Sequence, residues 1–332
     1  MQTDISVIIV SWNDRGHLEE CLGSLANCTR FRRVEIIIVD NASTDGSPEM
    51  VETRFPNVKL IRNTQNLGFA KGNNLGIKVS QGKYICLLNS DINVREGCMD
   101  ALADYMDEHP QIGLIGPKIL NADMSHQSSC REFPNLWNNF CPAIGLSTIF
   151  QGSRFFGGEH MFYFKGEQVR DADVLVGCFW MARCQAVREF GLLDEGFFMY
   201  GEDMDWCKRC WAAGWRVVFF PGAQAIHYRG GSSAKQDPIW VELMLQRSLL
   251  RYWSKYHGKI GQFAIRTILI LHRLVRWGGA LVTHVMRSSR RRKSKIRLQL
   301  NWTCLQDLFA DINPESVRGI VNGRTAQSRS DG

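Results

Sequence analysis

Ser6-Val-Ile-Ile-Val10, the stretch His17 to Ala26, and Val34-Glu-Ile-Ile-Ile-Val-Asp40 together decide the fold. The two outer runs are apolar, rich in β-branched residues and bounded by polar ones, as buried parallel strands are. Between them Leu18, Cys21, Leu22 and Leu25 recur at helical spacing. Strand, helix and strand form a β-α-β unit. The rhythm continues outward. Strands are expected over 58–61, 84–88, 112–115, 174–176, 179–182 and 216–220, and helices over 67–79, 96–108 and 202–213. Such alternation implies an α/β domain: a Rossmann-like, mainly parallel mixed sheet flanked by helices. Residues 121–170 interrupt it. They are rich in Asn, Ser, Phe, Gly and Trp and long for a loop, which marks a functional insertion or a mobile segment.

The charge is segregated. The chain of 332 residues carries a net +7, yet residues 1–242 hold 23 basic against 29 acidic residues. Residues 243–297 hold fourteen basic residues and no acidic one, and residues 298–332 hold three against four. Local positive charge concentrates a protein on an anionic surface. The eleven cysteines lack metal-ligand spacing apart from Cys207 and Cys210, which fall inside a helical pattern without a second pair. Helix packing in a reducing compartment is the expectation. The N-terminus lacks the basic and apolar regions of a secretory signal. No stretch offers the roughly 18 apolar residues of a membrane span.

Ligands of open α/β sheets bind beyond the carboxyl ends of strands. Asp40 follows a strand in Val39-Asp-Asn-Ala-Ser-Thr-Asp-Gly46; it suits either a base or ribose contact or an Asx-turn. Asn66-Leu-Gly-Phe-Ala-Lys-Gly-Asn-Asn74 suits either backbone approach to a ligand at a helix start or plain turn chemistry. Asp91 in Asn89-Ser-Asp91 suits either a hard-cation ligand or a helix cap. Glu202, Asp203 and Asp205 crowd one helix N-terminus. Asp205 has Arg209 four residues on, the spacing of a helical ion pair, whereas Asp203 has Cys207 there. An acid without that partner, after the aromatic run Phe197-Phe-Met-Tyr200, is a candidate general base.

Six segments in this order resemble one family: Val7-Ile-Ile-Val-Ser-Trp-Asn13, Ile38-Val-Asp-Asn-Ala-Ser-Thr-Asp-Gly46, Asn66-Leu-Gly-Phe69, Asn89-Ser-Asp91, Leu192-Leu-Asp-Glu-Gly-Phe-Phe-Met-Tyr-Gly-Glu-Asp203 and Ala225-Ile-His-Tyr-Arg-Gly-Gly-Ser-Ser233. The set is similar to the inverting family 2 glycosyltransferases of the GT-A fold, in their rhamnosyltransferase-like branch. The resemblance covers roughly residues 4–257. It implies a donor pocket for a nucleotide-sugar at Ser11, Asn13, Asp40, Asn41, Asn66, Gly68, Phe69, Asn73 and Asn89. It implies Mg²⁺ or Mn²⁺ at Asp91 and His227, Asp203 as catalytic base, and Glu202 shaping the acceptor site. The implied donor is dTDP-rhamnose or a UDP-hexose, and the implied acceptor a glycan or polyprenyl-linked saccharide in cell-surface polysaccharide synthesis. Asn89 departs from the pattern, since many relatives place Asp there, and this implies a weaker metal grip.

The expected organisation is a GT-A domain over 1–235 with residues 121–170 on its acceptor side, a basic amphipathic helical extension over 236–297, and a tail over 298–332. Projected at about 100° per residue, residues 265–287 gather Ile268, Ile270, Leu271, Leu274, Val275, Trp277, Leu281, Val282 and Val285 on one face. Arg266, Arg273, Arg276, His284 and Arg287 fall on the other, with Ile265 and Leu269 as exceptions. That pattern describes an in-plane interfacial helix, with the cluster Arg290-Arg-Arg-Lys-Ser-Lys295 reaching acidic headgroups. The expected location is cytoplasmic, on the inner face of the cytoplasmic membrane. Packing on the catalytic domain, a homo-oligomer contact and a nucleic-acid-binding run are the other readings, and the motif set argues against nucleic acid. Two rival functions remain. A sugar nucleotidyltransferase would carry a Gly/Arg-rich loop after the first strand, which is absent after Val10. A non-catalytic nucleotide-sugar sensor or scaffold has Asn89 as its support.

Overall fold

Alternation along the first strand sets the layers. In β1 (Ile5–Ser11), Ile8 points to one side of the sheet, and Val7 and Ile9 to the other. Each side is therefore apolar and must be covered. The computed structural model describes residues 3–161, 163–228, 236–286 and 291–310. The motif residues Arg229 to Ser233, the basic residues Arg287 and Arg290, and the tail beyond 310 lie outside the described residues.

The chain continues through α1 (Arg15–Leu25), β2 (Val34–Asp40), α2 (Ser47–Arg54), β3 (Lys59–Arg62), α3 (Phe69–Val79), β4 (Tyr84–Asn89), β5 (Ile92–Val94), α4 (Cys98–Glu108) and β6 (Ile112–Leu120). The interrupting segment is not one long loop. It holds β7 (His126–Gln127), β8 (Cys130–Arg131), α5 (Leu136–Ala143) and α6 (Leu146–Ile149), with a capping box between Asn135 and Asn138 starting α5. Then come β9 (Arg170–Asp171), β10 (Val174–Leu175), β11 (Phe179–Arg183), α7 (Cys184–Phe190), α8 (Glu202–Ala212), β12 (Arg216–His227), α9 (Pro238–Met286) and α10 (Arg291–Phe309).

The main sheet has the order β3-β2-β1-β4-β11-β6-β12-β5. Pairing is parallel across β3, β2, β1 and β4, and β11 is antiparallel to both of its neighbours. One core layer holds Ile8, Ile37, Leu87, Trp180 and Trp206; the other holds Val7, Ile9, Cys86, Leu88 and Met99. Cys207 and Cys210 are fully buried in the first layer, where burial pushes the Cys210 thiol up to about 12. Both pack in that layer, and no third His, Cys, Asp or Glu gathers with them among the described residues.

β12 outruns its expected end at Phe220 by seven residues, to His227. Pro221-Gly222 reads as a strand stop, but here the register shifts between Phe220 and Gln224 and pairing with β6 resumes. A bulge absorbs the proline, which has no N–H to contribute to a ladder. The continuation carries His227 opposite Ile92 of β5.

Gly258, at φ 63°, breaks α9 into two arms. Arg273 reaches back to Glu242 (2.8 Å) and Gln246 (3.3 Å), so the arms run antiparallel. α10 completes a helical bundle through Gln246 to Cys304, Arg247 to Asp307 and Arg266 to the Leu308 carbonyl. α10 crosses residue 297, where the basic segment ends in the sequence. The helical projection is corrected in one respect. Ile265, Leu269 and Arg273 are buried, while Val282, Val285 and Met286 are 56%, 69% and 77% exposed. Packing selects the supposedly polar face because Arg273 finds partners there. No helix among the described residues is long and apolar enough to cross a membrane.

Among the described residues, four of the fourteen basic residues form ion pairs inside the protein. Arg247 pairs with Asp307, Arg273 with Glu242, and Arg251 and Lys255 with Asp194. Lys255 also meets Asp205 at 2.5 Å. The basic segment thus clamps the acidic loop that leads into α8.

Candidate active site

The ends of β1, β2 and β4 place the first row of residues. Ser11 stands opposite Asp40, and Val10 opposite Asn89. One oxygen of Asp40 accepts from the Ser43 N–H at 3.0 Å, forming the Asx-turn. The other, with Ser11 Oγ, is buried without a hydrogen-bond partner among the described residues. Orphaned buried polar atoms are costly unless a ligand satisfies them. The turn and ligand readings of Asp40 are therefore compatible, one oxygen for each. Asn13 donates its N–H to Ser43 Oγ (2.9 Å) and accepts from the Thr44 N–H (2.7 Å). Asn41 donates to the Gly68 carbonyl (3.1 Å) and accepts from Asn63 (3.0 Å). Asn13 and Asn41 brace the wall.

α3 supplies the next group. Gly68 has φ +81°, and a Cβ there would collide with the Phe198 carbonyl oxygen. The Asn66 side chain accepts from the Gly68 N–H at 2.9 Å, and the Phe69 N–H donates to the Phe198 carbonyl at 2.8 Å. The Asn66–Phe69 turn is thereby joined to the loop before α8. Asn73 is buried; its amide donates to the Phe69 carbonyl (3.0 Å), and its Oδ1 has no partner among the described residues. Asn74 clasps Leu193 through both backbone groups, donating to its carbonyl (2.9 Å) and accepting from its N–H (3.0 Å). Two segments 119 residues apart are locked by one amide.

Asp91 follows β4, and its Oδ1 lies 3.2 Å from His227 Nε2. Two ligands each at about 2.1 Å from one octahedral cation lie about 3 Å apart, so this pair fits neighbouring positions on one ion. A carboxylate oxygen and an imidazole suit Mn²⁺ or Mg²⁺. No third His, Cys, Asp or Glu joins them among the described residues, so a bound diphosphate would supply further ligands. Gln127 Nε2 lies 3.1 Å from His227 Nδ1 and orients the ring. Asp14 bonds Ser90 Oγ (2.8 Å) and His17 Nδ1 (2.9 Å), buttressing the Asn89–Asp91 loop.

Tyr200 and Gly201, at φ 67° and 82°, bend the chain into α8. Left-handed backbone at a non-glycine residue is uncommon and clusters at functional sites. Asp205 is fully buried and bonded by Arg209 (2.9 Å), Lys255 (2.5 Å) and Tyr256 (2.7 Å), so it is structural. Asp203 is nearly buried, accepts from the Met204 N–H at 2.9 Å, and has no ion pair among the described residues. Glu202 is 6% exposed with Oε2 unpartnered. Burial, and then the charge of Asp203, push its pKa up to about 8. Glu159 comes from the interrupting segment; burial, opposed by Arg131 and aided by Asp203, raises its pKa too. Glu159 thus feels the charge of Asp203.

The raised Glu202 has a measurable consequence. A carboxyl whose folded pKa exceeds its unfolded 4.5 favours the protonated native state. Its contribution to stability is full below about pH 4.5 and is lost as pH rises to about 8. Glu202→Gln is therefore expected to melt about 4 °C above wild type at pH 8 and level with it at pH 4.5. Equal gains at both pH values would remove the titration argument.

Asp14, His17, Asn74, Gln127 and Glu159 are absent from the residues expected of the site. Asn74 stands inside a quoted motif, but its partner is distant in sequence. Gln127 and Glu159 lie in the irregular segment, where no periodicity signals them.

Comparison with known proteins bears on the family and the fold. The chain matches the family model of Glycosyl transferase family 2 over residues 6–190. The N-acetylglucosaminyl-diphospho-decaprenol L-rhamnosyltransferase of Mycobacterium tuberculosis (strain CDC 1551 / Oshkosh) is 30% identical over 319 residues, covering 90% of this chain and 98% of that protein. The dTDP-rhamnosyl transferase RfbF of Shigella flexneri is 24% identical over 238 residues, covering 71% and 72%. The crystal structure of GalNAc-T7 with UDP, GalNAc and Mn²⁺ is similar with a TM-score of 0.54 at 14% identity, covering 90% of this chain and 55% of that one. S. aureus TarS 1–349 is similar with a TM-score of 0.51 at 16% identity, covering 95% and 91%. At such identities the structural likeness is one of fold, the GT-A fold. The nucleotidyltransferase alternative is set aside. With the motif segments gathered at the strand ends and more than half of its length matching the family model, the chain belongs to glycosyl transferase family 2 and is a glycosyltransferase.

Proposed function

We propose that the protein moves a sugar, L-rhamnose from dTDP-rhamnose, with inversion onto a hydroxyl of a polyprenyl-diphosphate-linked saccharide in cell-surface polysaccharide synthesis. The observation that carries this reading is the donor row: Ser11 Oγ, one Asp40 oxygen and Asn73 Oδ1, all buried and without hydrogen-bond partners among the described residues. These polar atoms await a ligand with donors, which a nucleobase and ribose supply. The sugar and lipid are supported by the rhamnosyltransferase names of two relatives, one naming a diphospho-decaprenol acceptor.

Asp203 removes the proton of the acceptor hydroxyl as its oxygen attacks the anomeric carbon from the face opposite the diphosphate. One displacement forms the new glycosidic bond and breaks the bond to the nucleoside diphosphate, so no covalent nucleophile is needed. A divalent cation held by Asp91 and His227 would offset charge on the leaving diphosphate. Gln127 and Asp14 keep those ligands in place. Glu202, protonated at neutral pH, adds no second charge beside the base.

The protein docks peripherally on the inner leaflet. The exposed apolar side of α9 and the exposed basic residues of α10 support this, since apolar burial and headgroup attraction act together. Purified protein given dTDP-rhamnose, Mn²⁺ and a polyprenyl-diphosphate-GlcNAc acceptor in vesicles with anionic lipid should form the disaccharide and co-sediment with the vesicles. Transfer from UDP-glucose in preference to dTDP-rhamnose would reassign the donor. Recovery in the supernatant would remove the docking claim.

A further inference from the structure

A cavity of about 680 Å³ opens between α9, α10 and the α5–α6 segment. Its polar wall comprises Arg273, Arg276, Arg297, His272, Glu242 and Asn301. Glu242 is the single carboxylate among the lining residues, and Arg273 already holds it at 2.8 Å. Arg276 Nε donates to His272 Nε2 at 2.7 Å, which fixes the guanidinium beside the cavity. Burial, then the charges of Arg276 and Arg273, push the His272 pKa down to about 4, so this ring accepts the bond and stays neutral. Arg297 is exposed and makes no ion pair among the described residues. Three guanidinium groups against one carboxylate leave a cationic wall.

The surroundings are apolar. Residues 142–148 form the opposite side. Val275 lines the cavity at 46% exposure, and Val282 and Met286, seven and eleven residues on at helical spacing, continue as exposed apolar side chains along the same side of α9. Guanidinium forks match phosphate oxygens, whereas an apolar strip beside them suits hydrocarbon. An inorganic anion would use the first feature and leave the second without purpose.

The cavity shares elements with the active site. The segment that forms one wall also carries Glu159, which feels the charge of Asp203. Leu300, a lining residue, belongs to a packed group with Trp240, Leu243 and Tyr200. Tyr200 lies three residues before Asp203.

We infer that this cavity receives the diphosphate of the isoprenoid-diphosphate-linked acceptor, with the isoprenoid along the exposed side of α9 and the saccharide directed to Asp203. The inference rests on the lipid-linked acceptor proposed above and assigns that acceptor's linker to Arg273, Arg276 and Arg297. None of these belongs to the donor row.

The test is calorimetric titration of farnesyl diphosphate into the full chain, with saturating dTDP, UDP and Mg²⁺ filling the donor site. Wild type binds. Arg276→Glu/Arg297→Glu, which leaves the buried Arg273 pair intact, binds about 10–100-fold more weakly, the range for losing charge-assisted contacts. Lys59→Glu/Lys78→Glu, the same charge change on exposed residues of β3 and α3 outside the cavity, binds as wild type. Unchanged melting temperature in the first variant excludes a folding defect, and Arg297→Gln alone, with an intermediate loss, repeats the test more gently. Equal binding by wild type and the cavity variant overturns the inference. So does inorganic diphosphate binding as tightly as farnesyl diphosphate, which would make the site one for a free anion. In turnover assays the cavity variant raises KM for the lipid-linked acceptor and leaves transfer to an alkyl GlcNAc glycoside unchanged. Arginine-dependent farnesyl diphosphate binding by a protein that glycosylates no lipid-linked acceptor would sink the proposed function and keep the cavity assignment.

Discussion

Asp203→Asn is expected to give a folded protein that binds donor normally and has lost about 10³-fold in kcat, within the range for general-base catalysis. The substitution is isosteric. An amide oxygen can still accept the Met204 N–H bond, so the start of α8 is preserved. What disappears is a group able to take a proton. Donor affinity should persist because Ser11, Asp40 and Asn73 come from other elements. Calorimetric titration of the nucleotide-sugar and turnover measured side by side separate the two effects. Near-normal turnover by folded Asp203→Asn would move the base elsewhere, and Glu159 would be the next residue to change.

Asp91→Asn ranks second. Loss of transfer by about 10²–10³-fold is expected, a few kcal/mol of transition-state stabilisation. Asn89 leaves Asp91 as the one carboxylate of the Asn89-Ser-Asp91 element. An Asn at 91 keeps the backbone bond from the Tyr228 N–H but offers no anionic oxygen. Wild type treated with EDTA should lose activity and recover it with Mn²⁺ or Mg²⁺, whereas the variant should recover nothing. The thermal stabilisation of wild type by dTDP with Mn²⁺ should vanish as well. Wild-type activity in EDTA would remove the metal from the mechanism.

Much of this site is legible in the chain because strand ends concentrate it. Parallel strands terminate on one edge, so the residues after β1, β2 and β4 become neighbours whatever their separation. Asp205 could be separated from Asp203 by helical spacing alone, and the ion pair with Arg209 is present. Local signals failed where long-range pairing overrides local propensity. Pro221-Gly222 reads as an end, yet β6 on one side and β5 beyond hold the strand together and deliver His227 to Asp91. The amphipathic projection of α9 separated apolar from basic residues correctly but could not say which side would be covered. Arg273 is buried because Glu242 and Gln246, about thirty residues earlier, turn back to meet it.

By itself the sequence determined the α/β architecture, the motif segments at the strand ends and the acid at the start of α8, because hydrophobic period and residue type at strand ends are local properties. Tertiary structure alone decided which carboxylates share a neighbourhood, how Gln127 and Asp14 support the Asp91–His227 pair, and how four basic residues of the extension are consumed in clamping acids. It also decided that the apolar side of α9 faces outward beside a cationic cavity. Those outcomes depend on which distant groups find one another when the chain closes, since burying a charge is tolerable only where a partner waits.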